Sequence, residues 1–340
     1  MTLPHLFRWL LCLALVGAAS ILTGCGTIAA HALVHAPNRY PTWFAPSPPV
    51  SLAFSPKFLT NFATHVVSVG PPAAKLHYRI IDPAAYDLKI SSTNWIAKGR
   101  KEFEFSFRAT LPAPSNTWTA TPRGTVILLH GYGLAQFAMA PWALRLAQDG
   151  WRCVLVDLRG HGKSTGHTIY YGVHETADLT EILDDLDQTH QLAGPVDVVG
   201  ESYGAALALR WKPLDPRVHT IVAIAPYASL SNAVLNIRTD YAPWFPKWWL
   251  KSGIKALPSV LNVPADELDT TTVLKRNPVA ALFIAGTDDH IAPVAAVQEN
   301  ESLAAPGSSL LIVPGATHES LLYAFPDLTA PILNWLDTGR

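Results

Sequence analysis

The run Gly194-Pro195-Val196-Asp197-Val198-Val199-Gly200-Glu201-Ser202-Tyr203-Gly204-Ala205-Ala206-Leu207-Ala208-Leu209 reads as a strand, a sharp turn and the start of a helix. Gly194-Pro195 introduces a β-prone stretch, and the alanine- and leucine-rich stretch after Tyr203 has strong helix propensity. The turn itself, Gly200-Glu201-Ser202-Tyr203-Gly204, matches G-x-S-x-G. Chance supplies that pentapeptide in roughly one chain in ten of this size, so its setting has to decide. Glycines at 200 and 204 let the backbone pass close to its neighbours, and Ala205 and Ala206 allow the helix to approach the strand layer. Ser202 then sits at a helix N-terminus, where backbone N–H groups favour developing negative charge.

A serine hydroxyl is a weak nucleophile near neutral pH and needs a base, itself oriented by a third group. Downstream, an apolar run from Ala280 to Ala285 leads into Gly286-Thr287-Asp288-Asp289-His290-Ile291-Ala292-Pro293, and a later one from Leu310 to Val313 leads into Pro314-Gly315-Ala316-Thr317-His318-Glu319-Ser320. Serine, then acid, then histidine is the chain order of a strand-to-helix nucleophile turn. His318 is the candidate base. His130 and His161 lie in turns where hydrogen bonding within the loop is the simpler role, and His290 adjoins the acid in sequence, which makes an aimed contact awkward.

Moving outward, buried-strand patterns recur at Thr125 to Leu129, Cys153 to Val156, Val196 to Val199, Thr220 to Ala225, Ala280 to Ala285 and Leu310 to Val313. Helical patterns at Ala138 to Gln148, His174 to His190, Tyr203 to Trp211, Pro293 to Ala304 and near the C-terminus separate several of them. Continuous apolar runs alternating with helices predict a mostly parallel sheet built by right-handed crossovers. Leu76 to Ile81 and Phe103 to Ala109 alternate, which predicts antiparallel pairing at a sheet edge. Residues 228–275 interrupt the rhythm with Tyr241, Trp244, Phe245, Trp248 and Trp249. An insert after a strand's carboxyl end predicts a helical cap over the site, with these aromatics forming its small core or contacting substrate.

These features together resemble the α/β-hydrolase superfamily from about Leu76 onward, and within it the esterase, lysophospholipase and serine aminopeptidase branch. His130-Gly131-Tyr132-Gly133 resembles its oxyanion loop, and Asp157-Leu158-Arg159-Gly160-His161-Gly162-Lys163-Ser164 its D-x-R-G-x-G-x-S turn. The resemblance implies an α/β-hydrolase fold and an acyl-transfer triad of Ser202, Asp289 and His318, with the backbone N–H groups of Tyr132 and Tyr203 as oxyanion hole. Asp289 rather than Asp288 follows from G-x-x-D-x-x-x-P, which Pro293 closes. Two departures stand out: Glu201 precedes the serine where histidine is common, and Ala205 replaces a frequent glycine. The activity implied is hydrolysis of carboxylic esters, with apolar acyl or monoacyl-lipid substrates suggested by the aromatic cap. A serine peptidase of the same fold, anchoring a substrate amine on Glu201 or Asp240, is the enzyme alternative; a non-catalytic envelope binding protein is the other.

Length and composition set the frame. A chain of 340 residues accommodates one large α/β domain. With a net charge of -1 and 15% charged residues, it lacks the basic field that nucleic acid requires. No close-spaced ligand motif suggests a metal, and no cofactor motif appears. The N-terminus reads as a targeting segment: Arg8, an apolar run from Trp9 to Leu22, then Leu22-Thr23-Gly24-Cys25, which resembles a bacterial lipobox. That resemblance implies cleavage before Cys25, acylation of its thiol and a membrane-anchored lipoprotein of the cell envelope. Of three cysteines, Cys12 would then leave with residues 1–24, and Cys153 is a buried small hydrophobe. The proline-rich stretch 25–72 is read either as a tether or as an arm packed onto the catalytic domain, 73–340.

Overall fold

The computed structural model describes residues 24, 26–39, 50–53, 56–97, 100–111 and 121–339. Cys25, the segment before Gly24, Trp43, Phe44 and Phe54 lie outside the described residues. Eight strands form the central sheet in the order β11-β10-β9-β8-β6-β7-β3-β2. They are β2 (Thr64–Val69), β3 (Ala74–Ile81), β6 (Thr125–Leu129), β7 (Arg152–Asp157), β8 (Val196–Glu201), β9 (Val218–Ile224), β10 (Leu282–Gly286) and β11 (Ser309–Val313). From β7 to β11 all neighbours pair in parallel, and β3 pairs antiparallel with both β2 and β7. This is the α/β-hydrolase fold. β6, β8 and β10 are buried along their whole length, as expected of strands covered on both faces.

Helices cover those faces: α2 (Ala140–Gln148), α3 (Glu175–Gln188), α4 (Tyr203–Trp211), α8 (Val294–Ser302), α9 (His318–Leu321) and α10 (Phe325–Thr338). Between β9 and β10 the chain forms α5 (Leu230–Tyr241), α6 (Lys247–Leu261) and α7 (Thr270–Arg276). The apolar side chains divide into two clusters, one on each face of the sheet, with Ile127 and Val198 in the first and Leu128 and Val199 in the second. That division is the period of two along a strand.

The expectation for Phe103 to Ala109 needs correction. This stretch belongs to β5 (Arg100–Thr110), which pairs antiparallel with β4 (Asp87–Ala97) and parallel with β1 (Val50–Ala53) in a separate three-stranded sheet. Phe103, Phe105 and Phe107 are all buried, and Phe105 stacks on Tyr323 and Phe325 at ring-centroid distances of 4.6 and 5.7 Å. A helix over residues 26–33, α1, precedes both sheets. Cys153 is fully buried on β7, and burial pushes its thiol pKa up. Among the described residues no helix is long and apolar enough to cross a membrane.

Candidate active site

β8 delivers the backbone into a turn tight enough to force Ser202 to φ +52°, ψ −110°, a conformation that costs a non-glycine residue roughly 1–3 kcal/mol and persists only where the surroundings enforce it. The enforcement is visible. The Ser202 N–H donates to the Ile224 carbonyl at 2.8 Å, tying the turn to the end of β9. Gly204 leaves no room for a Cβ, which would run into the Leu129 and His130 carbonyls of β6 and its following loop. Ala205 and Ala206, the next two residues of α4, are buried.

His318 enters from the loop after β11 at the first position of α9. Thr317 caps that turn: the Ser320 N–H donates to Thr317 Oγ1 and the Thr317 N–H donates to Ser320 Oγ. The capping box fixes the backbone on either side of the imidazole. Nε2 of His318 lies 2.9 Å from Ser202 Oγ, and Nδ1 lies 2.8 Å from Asp289 Oδ2. The other carboxylate oxygen of Asp289 accepts from the N–H groups of Ile291 and Ala292, both at 2.8 Å. Each acceptor of the carboxylate is therefore engaged, and its ring-facing oxygen is held on Nδ1. Asp288 takes no part; its carboxylate accepts from Thr287 Oγ1 and its N–H donates to the Ala316 carbonyl, stitching the acid loop to the histidine loop. His290 points outward and faces Asp240 at 3.8 Å.

Glu201 matters more to the local field than its place in the turn reveals. Its side chain is buried, Oε1 lies 3.7 Å from His318 Nε2, and Oε2 lies against Gly131. A Cβ on Gly131 would collide with this carboxylate, so Gly131 is required for the oxyanion loop to close over it. Burial, offset by the neighbouring imidazole, pushes the Glu201 carboxyl up to about 7. At His318 burial disfavours the charged ring, but Asp289, Glu201 and Glu319 together outweigh it and raise the imidazole to about 9.

The oxyanion loop is braced by the second motif. Asp157 accepts from the N–H and the side-chain amide of Gln136, each at 2.8 Å, and from the N–H of Lys163. Ser164 donates to the Asp157 carbonyl and accepts from the His77 N–H. Arg159 makes two hydrogen bonds to Asp178 in a fully buried pair, whose disruption strands a buried charge at a cost of ~3–5 kcal/mol. His130 accepts the Leu158 N–H on Nε2 while Nδ1 faces the Gly131 carbonyl at 2.8 Å, and His161 bonds the Arg159 carbonyl. Both rings serve the loops, and burial pulls them down to about 4 and about 3. The Tyr132 and Tyr203 rings meet edge to face at 6.3 Å.

The cap is fastened to the same loops. Tyr241 on α5 donates to the carboxylate of Glu319, next to His318, and Asn236 donates to the Ile291 carbonyl beside Asp289. Neither contact was accessible to pattern reading, because each joins residues more than fifty apart. Within the insert Phe245 packs against Trp249 at 5.2 Å, but Trp244 and Trp248 face outward, so these two do not form the insert's core. Among the described residues no group of three or more His, Cys, Asp or Glu side chains is arranged to hold a metal ion.

Comparison with known proteins bears on the fold. The family described as serine aminopeptidase, S33, matches residues 120–280. Over 178 residues the chain is 25% identical to the uncharacterised protein YqkD of Bacillus subtilis, covering 51% of this chain and 58% of that one. Over 197 residues it is 24% identical to a monoacylglycerol lipase of Mycolicibacterium smegmatis, covering 55% and 65%. Each alignment thus spans less than two thirds of the relative's own length. Among solved structures, an esterase of Pyrococcus furiosus superposes with a TM-score of 0.59 at 22% identity, covering 84% of this chain and 94% of that one.

Proposed function

We propose that this chain, an α/β-hydrolase by fold, is a serine hydrolase that cleaves carboxylic esters through an acyl-enzyme. The observation that carries the reading is the continuous hydrogen-bonded line from Ser202 Oγ through both nitrogens of His318 to Asp289. In the first step Ser202 Oγ attacks the ester carbonyl carbon while its proton passes to His318 Nε2. Asp289 holds the ring in the tautomer that leaves Nε2 free to accept, and stabilises the imidazolium that results. The oxyanion is received by the N–H groups of Tyr203 and Tyr132, each donor contributing about 3 kcal/mol. As the tetrahedral intermediate collapses, the departing alkoxide takes the proton from Nε2. Water then attacks the acyl group with the same base, and the carboxylic acid leaves. Apolar acyl or monoacyl esters are the substrates this reading takes, and the relative named a monoacylglycerol lipase supports that direction. Acylation at Cys25 belongs to the same proposal and rests on Leu22-Thr23-Gly24-Cys25.

The family description favours one further reading, a peptidase acting at substrate N-termini. Such an enzyme needs a carboxylate reachable by an amine. Glu201 is buried against Gly131, which leaves Asp240 at the cap. Turnover of p-nitrophenyl esters beside aminoacyl-nitroanilides separates the two, with ester turnover expected to dominate. Replacing Ser202 by Ala is expected to abolish both ester turnover and covalent labelling by a fluorophosphonate. Labelling that persists in the variant rules the assignment out.

A further inference from the structure

The cap exposes apolar surface that a protein in water normally covers. Trp244, between α5 and α6, and Trp248, on α6, are 77% and 60% exposed. Trp248, Lys251 and Lys255 are all exposed and recur at the three- and four-residue spacing of one helix face, while Leu250, Gly253, Leu257 and Leu261 form the buried stripe. Indoles beside lysines on an outward helix face suit the headgroup region of a bilayer, where the ring sits at the interface and the ammonium meets phosphate.

A second, independent observation bears on what this face meets. α1 lies directly on α6: Gly26 sits against the Ser252 backbone, and a Cβ on Gly253 would collide with Ala29. Ile28 on α1 is itself 66% exposed. The residues immediately before α1 are the apolar run from Trp9 to Leu22 and the lipobox-like Cys25. Whether acyl chains on Cys25 or the apolar run itself enters the lipid, the chain meets the domain at α6.

We infer that the outward face of α6, with Trp244 and the exposed side of α1, docks on an anionic bilayer. Because α5 of the same insert is fastened to Glu319 and Ile291 beside the proposed triad, docking sets the site's covering on the membrane surface and makes lipid acyl esters the substrates within reach. That consequence rests on the hydrolase reading; the docking itself does not, and it is tested by lipid contact rather than turnover.

Full-length protein carrying Trp9→Phe, so that the apolar run contributes no indole, serves as the wild-type reference and is reconstituted with vesicles of phosphatidylcholine alone or mixed with phosphatidylglycerol, each with acyl chains brominated near the headgroup, and tryptophan emission is measured. The wild type is expected to be quenched, more strongly in the mixed vesicles. The double variant Trp244→Phe/Trp248→Phe should lose most of the quenching, and Lys251→Glu/Lys255→Glu should lose the preference for phosphatidylglycerol. All four positions are exposed, and an unchanged thermal midpoint verifies folding. Equal quenching in wild type and tryptophan variant overturns the proposal and turns this face toward a protein partner instead.

Discussion

At the residue scale the unusual feature is an imidazole that meets carboxylates from two directions. Asp289 engages Nδ1 at 2.8 Å and Glu201 approaches Nε2 at 3.7 Å. A general base works best with a pKa near the working pH, whereas two negative neighbours favour the charged ring, and His318 is raised to about 9 despite its burial. Glu201 adds to that field when it is ionised, and burial holds its carboxyl near 7. The sign of its removal follows. Glu201→Gln deletes a negative charge beside Nε2, so the imidazolium loses stabilisation and the His318 pKa falls. Neutral base then survives to lower pH, and the acid limb of the kcat/KM–pH profile is expected to shift downward. A limb that stays in place, or moves upward, shows that the Glu201 charge is not felt at the ring.

At the scale of elements, the site depends on how closely α4 can press on β6. Gly204 is the point of contact, and Gly204→Ala is expected to cost about 1–3 kcal/mol through overpacking, read as a lowered urea midpoint. An unchanged midpoint means the helix has a free path away from the Leu129 carbonyl. The parallel strands were legible because burial on both faces leaves an apolar run with no alternation to misread, as in β6 and β10. Ser202 and Asp289 could be nominated because each follows such a strand, and His318 because it follows an apolar run, which the structure shows as the part-exposed edge strand β11; the three lie within hydrogen-bond distance. Alternation at Phe103, Phe105 and Phe107 identifies a strand but not its sheet. The assignment of β5 to the second sheet depends on Tyr323 and Phe325, more than two hundred residues away. The cap posed the same difficulty, since composition locates an aromatic insert without saying that Trp248 faces out while Leu257 faces in.

Across the whole molecule, residues 26–39 connect regions that the main sheet leaves separate. α1 rests on α6 of the cap, and the chain then pairs with the segment leading out of the Asp157–Ser164 turn. The Ile169 N–H donates to the Val34 carbonyl, the Ala36 N–H to His167, and the Asn38 N–H to Gly160. Asn38 Nδ2 also donates to the Ser164 carbonyl at 2.8 Å. Ala29, Ala30, Val34 and Ala36 are buried, with Ala30 and Val34 inside one of the two core clusters. A tether that merely spaces the domain from a membrane makes no such contacts and is dispensable for folding. A packed arm is not, and its loss also frees the turn that braces Gln136 and the oxyanion loop. Deleting residues 26–39 is therefore expected to lower unfolding free energy by roughly 3 kcal/mol or more, from the apolar surface and backbone hydrogen bonds lost. Val34→Ala, with the arm in place, should lose about 1–3 kcal/mol of the same total. Urea unfolding of the three proteins measures both; midpoints that coincide return this segment to the role of a tether and detach the orientation of the insert from the proposed anchor.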